Sequence, residues 1–170
     1  MTDLGTHIQH DGRPAVRFER TFAHPVERVW RAISDPAELP SWFPSKVEYE
    51  PEVGSPVKFT GDPNAPALEG RLLAWDPPRH VAFLWGTDEL YLTLEEVDGG
   101  CRFELVNVLS DPGTAAMNAA GWHVCLSELG KVVRGGPNDG PHAANATEWQ
   151  PLYDAYVAEG LPHGTPVPGT

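Results

Sequence analysis

Residues 18–43 read FERTFAHPVERVWRAISDPAELPSWF, and their reading decides the fold. Val16, Phe18 and Phe22 alternate with Arg17, Glu19 and Thr21, the period-2 pattern of a half-buried strand. The period changes at His24-Pro25, where proline suits the first turn of a helix because its missing N–H would be unpaired there. Val26, Val29, Trp30 and Ile33 then recur at 3/4 spacing, with Glu27, Arg28 and Arg31 facing outward, so an amphipathic helix follows the strand. Asp35-Pro36 restarts a helical turn that ends near Leu39-Pro40, leaving Trp42 and Phe43 beside another proline.

Outward from this unit, the chain reads as one domain. Its 170 residues are 41% apolar, with 17 Gly and 18 Pro marking many turns, and that length suits a single core. Residues 1–13 lack sustained periodicity and read as a flexible tail, 14–160 as the domain, and 161–170 as a second flexible tail. No apolar run approaches the ~18 residues of a membrane span, and no basic-then-apolar leader opens the chain; a cytoplasmic location is expected. The net charge of −12 opposes attraction to nucleic acid or to an anionic membrane. Cys101 and Cys125 show no metal-ligand spacing and read as reduced core residues.

Downstream of Phe43, short strands are expected at 46–50 and 56–60, then a hairpin from 68–75 and 80–85 around Asp76-Pro77-Pro78. The clearest local signal follows. Leu90, Leu92 and Leu94 alternate with Tyr91, Thr93 and Glu95, Asp98-Gly99 supplies a turn, and Phe103, Leu105 and Leu109 return. With a two-residue turn, Leu94 faces Phe103, Leu92 faces Leu105 and Glu95 faces Arg102. A one-residue slip would set Glu95 against Phe103, so the pattern fixes the register. Asn107 then falls on the apolar face opposite Leu90, where a buried amide needs partners. A long helix is expected at 114–133, ended by Gly135-Gly136-Pro137, and a last short helix from the spacing of Trp149, Leu152, Tyr153, Tyr156 and Val157.

Several segments carry a family resemblance: Glu19-Arg20-Thr21-Phe22, Pro25 to Trp30 and Trp42-Phe43; Gly70-Arg71-Leu72, Asp76 to Arg79 and Phe83-Leu84-Trp85; and Gly121-Trp122-His123 followed by Cys125-Leu126 and Leu129. Over about residues 14–134 the chain resembles the Hsp90-ATPase-activator-homologue family of the START/Bet v 1-like superfamily. The resemblance implies an α+β helix-grip fold: a curved antiparallel sheet of about six or seven strands around a long C-terminal helix, with two short helices after the first strand. The family often has His where this chain has Asn107, which weakens the transfer of any role to that position.

In that family a cavity can open between the concave sheet and the long helix, a kind of space that suits small molecules. Its expected lining is Trp42, Phe43, Phe59, Trp85, Leu92, Leu94, Phe103, Leu105, Met117, Gly121 and Trp122, with Arg20 and Asn107 as candidate polar groups; the same aromatics could simply fill the core. Gly121 is the most suggestive, because a helix-interior Gly costs roughly 1 kcal/mol relative to Ala. It either permits close helix–sheet approach or leaves room for a ligand. Arg20, on the same face as Phe18 and Phe22, either forms an ion pair with a strand acid (Glu48, Glu50, Glu69 or Glu104) or anchors an acidic headgroup. The runs Asp88-Glu89 and Glu95-Glu96 read as a solvated face.

No phosphate loop, His-Glu-x-x-His, Cys-x-x-Cys or nucleophile elbow is present, and no catalytic residue, cofactor or metal is expected. The leading reading is a START-like domain binding a small hydrophobic or amphipathic ligand. One alternative, implied by the resemblance, is a co-chaperone-like interaction module partnering a chaperone. Another is a cyclase- or hydrolase-type enzyme on polyketide-like substrates, which would need Arg20, Asn107 and His123 to converge. A homodimer through a sheet edge or the last helix stays open.

Overall fold

The computed structural model describes residues 3–166. Among them the strands are β1 (Thr6–His10), β2 (Arg13–Phe22), β3 (Lys46–Glu48), β4 (Pro56–Thr60), β5 (Leu68–Asp76), β6 (His80–Trp85), β7 (Asp88–Val97) and β8 (Gly100–Val108). The helices are α1 (Val26–Ser34), α2 (Ala115–Arg134) and α3 (Trp149–Ala158), with short 3-10 turns at Leu39–Ser41 and Pro112–Thr114. The strands form one antiparallel sheet in the order β1-β2-β8-β7-β6-β5-β4-β3, curved around α2 in the helix-grip arrangement, with α1 and the Leu39–Ser41 turn between β2 and β3.

The expected β7–β8 register holds throughout. Leu94 pairs Phe103, Leu92 pairs Leu105, Glu95 pairs Arg102 and Leu90 pairs Asn107, because only this register keeps every leucine on the face that α2 covers. Val16, Phe18 and Phe22 of β2 are buried on that same face. Helix α1 begins after Pro25, whose carbonyl accepts from the N–H groups of Arg28 and Val29, and buries Val29, Ala32 and Ile33. Trp42 is fully buried and donates its indole N–H to the Ala32 carbonyl at 2.7 Å, which fixes the chain leaving α1. At the far end of α2, Gly135 adopts φ 73° and donates to the carbonyls of Lys131 and Val132, the left-handed stop expected there.

Two expectations need correction. The sheet has eight strands rather than six or seven, and the added strand lies in the expected N-terminal tail. Asp11 and Gly12 both take positive φ, 50° and 79°, and connect His10 to its partner Arg13 as a two-residue hairpin turn. The cue was present as Asp-Gly; the flanking polar residues of an edge strand hid the alternation. At the other end, residues 161–166 are tied down rather than free. Leu161 is buried, the Pro162 carbonyl accepts from Ala116 N–H at 3.0 Å, and Thr165 Oγ1 donates to Asp111 Oδ2 at 2.7 Å. Residues 167–170 of that tail lie outside the described residues.

Candidate functional site

A cleft of about 680 Å³ opens along α2. Its floor is the α2 face carrying Met117, Asn118, Gly121, Trp122 and Cys125, joined by Trp85 from the end of β6. One rim is the β4–β5 loop at Asp62–Ala65, and the other is the segment from Pro141 to Gln150 that leads into α3. His142 holds the rims together. Its Nε2 lies 2.7 Å from the Pro44 carbonyl and 3.7 Å from Asp62 Oδ1, and its Nδ1 lies 3.5 Å from Asn64 Nδ2. Trp85 and Trp122 meet at 5.2 Å between ring centroids, and both rest on Phe43 from the core side, at 6.2 and 5.4 Å. The indole wall is thus held by packing.

Gly121 sits in the middle of this floor. A Cβ built on it meets no atom within 4 Å, so of the two expected reasons for the glycine, close helix–sheet approach is excluded. The space in front of it belongs to the cleft.

Behind the floor runs a hydrogen-bond network whose amide orientations are determined by its fixed members. The Trp122 indole N–H can only donate, so the Asn107 oxygen faces it at 3.0 Å. Asn107 Nδ2 then points to Asp88 Oδ2 at 3.0 Å. Asn118 donates to the Asn107 oxygen at 3.1 Å and to Asp88 Oδ2 at 3.3 Å, while Ser110 donates its N–H and hydroxyl to Asp88 Oδ1, both at 2.9 Å. Asn107 is 0% exposed and its amide is paired on both sides. Asn118 is left with its carbonyl oxygen free of protein donors among the described residues, on a side chain that lines the cleft. Asp88, expected on a solvated face, is instead the anchor of this network.

The structure brings Trp85, Met117, Gly121 and Trp122 of the expected lining to the cleft and places the others elsewhere. Trp42, Phe43, Phe59, Leu92, Leu94, Phe103 and Leu105 are each at most 2% exposed and belong to the core. Phe43 stacks on Phe59 at 5.9 Å and Trp42 meets Phe103 edge-on at 6.5 Å. The reason is geometric: α2 lies close over the middle of the sheet, so inward leucines and phenylalanines there meet the helix, and space remains only near the β6 end.

Arg20 faces inward as the alternation requires but lies outside the cleft. Its guanidinium donates to the carbonyls of Glu19 and Asp3, both at 2.9 Å, and sits 5.5 Å from the Phe18 ring centroid; burial lowers its pKa. None of the strand acids pairs with it. Glu104 instead meets Arg17 at 2.6 Å. His123 Nδ1 lies 2.8 Å from the Tyr156 hydroxyl, which also accepts from Gly5 N–H at 2.8 Å. Burial first, and the Arg20 charge second, lower the His123 pKa, and burial raises that of Tyr156 to about 12. Arg20 and His123 therefore gather at Tyr156, Asn107 is bound to Trp122 and Asp88, and none of the three lines the cleft. The convergence that an enzymatic reading needed is not there.

The cleft residues that the sequence reading passed over are Asn118, Asp62, Asn64, His142 and Trp149. Four of them come from segments without periodicity or from the start of a separate helix, and only the fold joins them. Asn118 was legible in part, being one helical turn before Gly121–Trp122. Cys125, read as a core thiol, also reaches the cleft wall; it and Cys101 are free and buried, and burial pushes the Cys125 thiol up. Among the described residues no group of three or more His, Cys, Asp or Glu could hold a metal ion, and no helix is long and apolar enough to cross a membrane.

Comparison with known proteins gives the same architecture. The solution structure of CalU16 from Micromonospora echinospora is 23% identical, with 93% of this chain and 96% of that one covered, at a TM-score of 0.73. A conserved protein of unknown function, EF2215 from Enterococcus faecalis, is 20% identical over 91% of this chain and 89% of that one, at 0.71. Protein MLL2253 from Mesorhizobium loti is 21% identical, covering 72% and 98%, at 0.63. No curated protein matches at a significant level. At these identities the structures share a fold and nothing finer. The family model described as "Activator of Hsp90 ATPase homolog 1-like protein" matches residues 23–134, a span that runs from the turn before α1 to the last residue of α2, and the chain belongs to that family.

Proposed function

We propose that this chain binds a small apolar or amphipathic molecule in the cleft between α2 and its two rim segments, without converting it. Gly121 carries this reading. A glycine inside a helix costs roughly 1 kcal/mol relative to Ala, and here no close contact offsets that cost, since a Cβ would meet nothing. What the glycine preserves is open space before two fixed indoles. The volume of about 680 Å³ falls within the ~300–1,000 Å³ typical of small-molecule sites. Such sites combine apolar walls with a few placed polar groups, and Asn118 supplies one.

The test uses Nile red, an uncharged probe whose emission shifts to the blue in apolar surroundings. Saturable binding is expected to the unmodified chain and to be lost in Gly121→Leu, a variant whose side chain enters the cleft from a good helix former. Binding that survives in Gly121→Leu, or that never saturates, refutes the reading. The family description favours a second reading, a chaperone-interaction module; an unchanged ATPase rate of an Hsp90-type chaperone in its presence would remove it.

A further inference from the structure

The charge around the cleft is one-sided. Its lining includes two carboxylates, Asp62 and Glu148, and neither lysine nor arginine. The polar atom left free on the floor, Asn118 Oδ1, is an acceptor, and the network fixes it as one: turning the amide over would set its oxygen against the Asp88 carboxylate and the Asn107 oxygen. Behind it, Asp88 adds a further negative charge. Half-buried Trp85 and Trp149 supply indole surface to the cleft, with the nearly buried Trp122 behind them.

From these features we infer that the cleft selects a flat aromatic amine in its cationic form over a neutral analogue, and discriminates against a carboxylate. The inference rests on the small-molecule reading above and names the chemical class. Indole faces attract cations through their ring quadrupole. An ammonium N–H can donate to Asn118 Oδ1, which a carboxylate cannot do. A carboxylate entering here meets Asp62 and Glu148 in a half-solvated space where the effective dielectric is well below that of water. No lysine or arginine in the lining offsets them, and the one imidazole beside them, His142, is already turned to the Pro44 carbonyl and Asp62. The chain's net charge of −12 draws cations toward the protein as well. Arg20, the one inward guanidinium that the sequence offered as an anchor for an acidic headgroup, is turned to the Asp3 and Glu19 carbonyls.

The experiment compares three probes of one shape, naphthylmethylamine, naphthalenemethanol and naphthoate, titrated calorimetrically into the full chain at neutral pH. The amine should bind roughly tenfold or more tighter than the carboxylate, about the effect of one unit charge a few ångströms from a carboxylate in a partly solvated site, with the alcohol between them. In the double variant Asp62→Asn, Glu148→Gln, the ratio of amine to carboxylate affinity should narrow several-fold. Equal or tighter binding of naphthoate overturns the inference. Binding of the alcohol with no preference for the amine also overturns it but leaves the small-molecule reading standing. If none of the three binds and Nile red does not bind, both fall together.

Discussion

Replacing Gly121 by alanine should make the protein more stable. In a helix interior Gly is ~0.8–1.0 kcal/mol less favourable than Ala. That gain is usually cancelled when the glycine makes room for a neighbour. Here the added methyl meets no heavy atom within 4 Å, so no overpacking term opposes it, and facing an open cleft it gains no burial either. The whole propensity difference should appear. For a domain of this size ~1 kcal/mol corresponds to a rise of ~2–4 °C in melting temperature, measurable by circular dichroism. Gly70→Ala gives the opposite sign from the same substitution. A Cβ there would lie 1.6 Å from the Leu84 carbonyl oxygen, a backbone atom of the neighbouring strand, so β5 and β6 must part. The loss should reach the upper end of the ~1–3 kcal/mol that overpacking costs. If Gly121→Ala lowers the melting temperature, the space before Gly121 is occupied by protein, and the cleft with its proposed ligand loses its main support.

Asn107→Leu should cost ~2–4 kcal/mol, because it orphans the buried Trp122 N–H and removes a donor from the half-buried Asp88 carboxylate; the midpoint of denaturant unfolding should fall with an unchanged slope. Tyr156→Phe should cost ~1–3 kcal/mol by leaving Gly5 N–H and His123 without their shared partner, and amide exchange should rise first in β1 and α3. The His123 pKa is lowered from its ordinary 6.5, so just below pH 6.5 the unfolded chain binds more protons than the folded one, and stability rises with pH through that window. Acidification from pH 6.5 to the folded pKa should therefore progressively destabilise the protein, and His123→Asn should flatten that slope. An NMR titration of His123 with a midpoint at or above 6.5 would contradict the assignment.

Most of the fold could be read from the chain because its strands and helices are two-faced. The leucines of β7 and the phenylalanine and leucine of β8 admit one register, since a slip of one residue would carry charged side chains into the core. Helix α1 announced itself by a change of period at Pro25, and α2 by its stripe and its glycine stop. The missed strand, β1, has exposed Thr6, His7 and Gln9 and reveals itself only through the Asp11-Gly12 turn. Edge strands are under little pressure to alternate, because one side of their ladder and most of their side chains face water. The C-terminal attachment through Leu161, Pro162 and Thr165 was hidden for a related reason: its contacts are single hydrogen bonds and one buried leucine, which leave no periodic trace.

The candidate site was less legible, and the cause lies in what a pocket requires. An inward aromatic at strand spacing carries the same signal whether it fills a core or lines a cavity, so Phe103 and Trp85 look alike in sequence. What separates them is the distance between helix and sheet at each point, which no local pattern records. Only a residue that breaks its own local rule can report that distance, and Gly121 does so by spending helix propensity where Ala would serve the fold better. Asn107 also breaks a rule, as an amide on an apolar face, but there the violation is settled internally by Trp122, Asp88 and Asn118. The first exception therefore marks the open space of the cleft, while the second marks the support that orients Asn118 on its floor. A lone rule-breaking residue is informative about function to the extent that the surrounding protein leaves its anomaly unresolved, and by that measure Gly121 and the free oxygen of Asn118 outrank every catalytic-looking side chain in the chain.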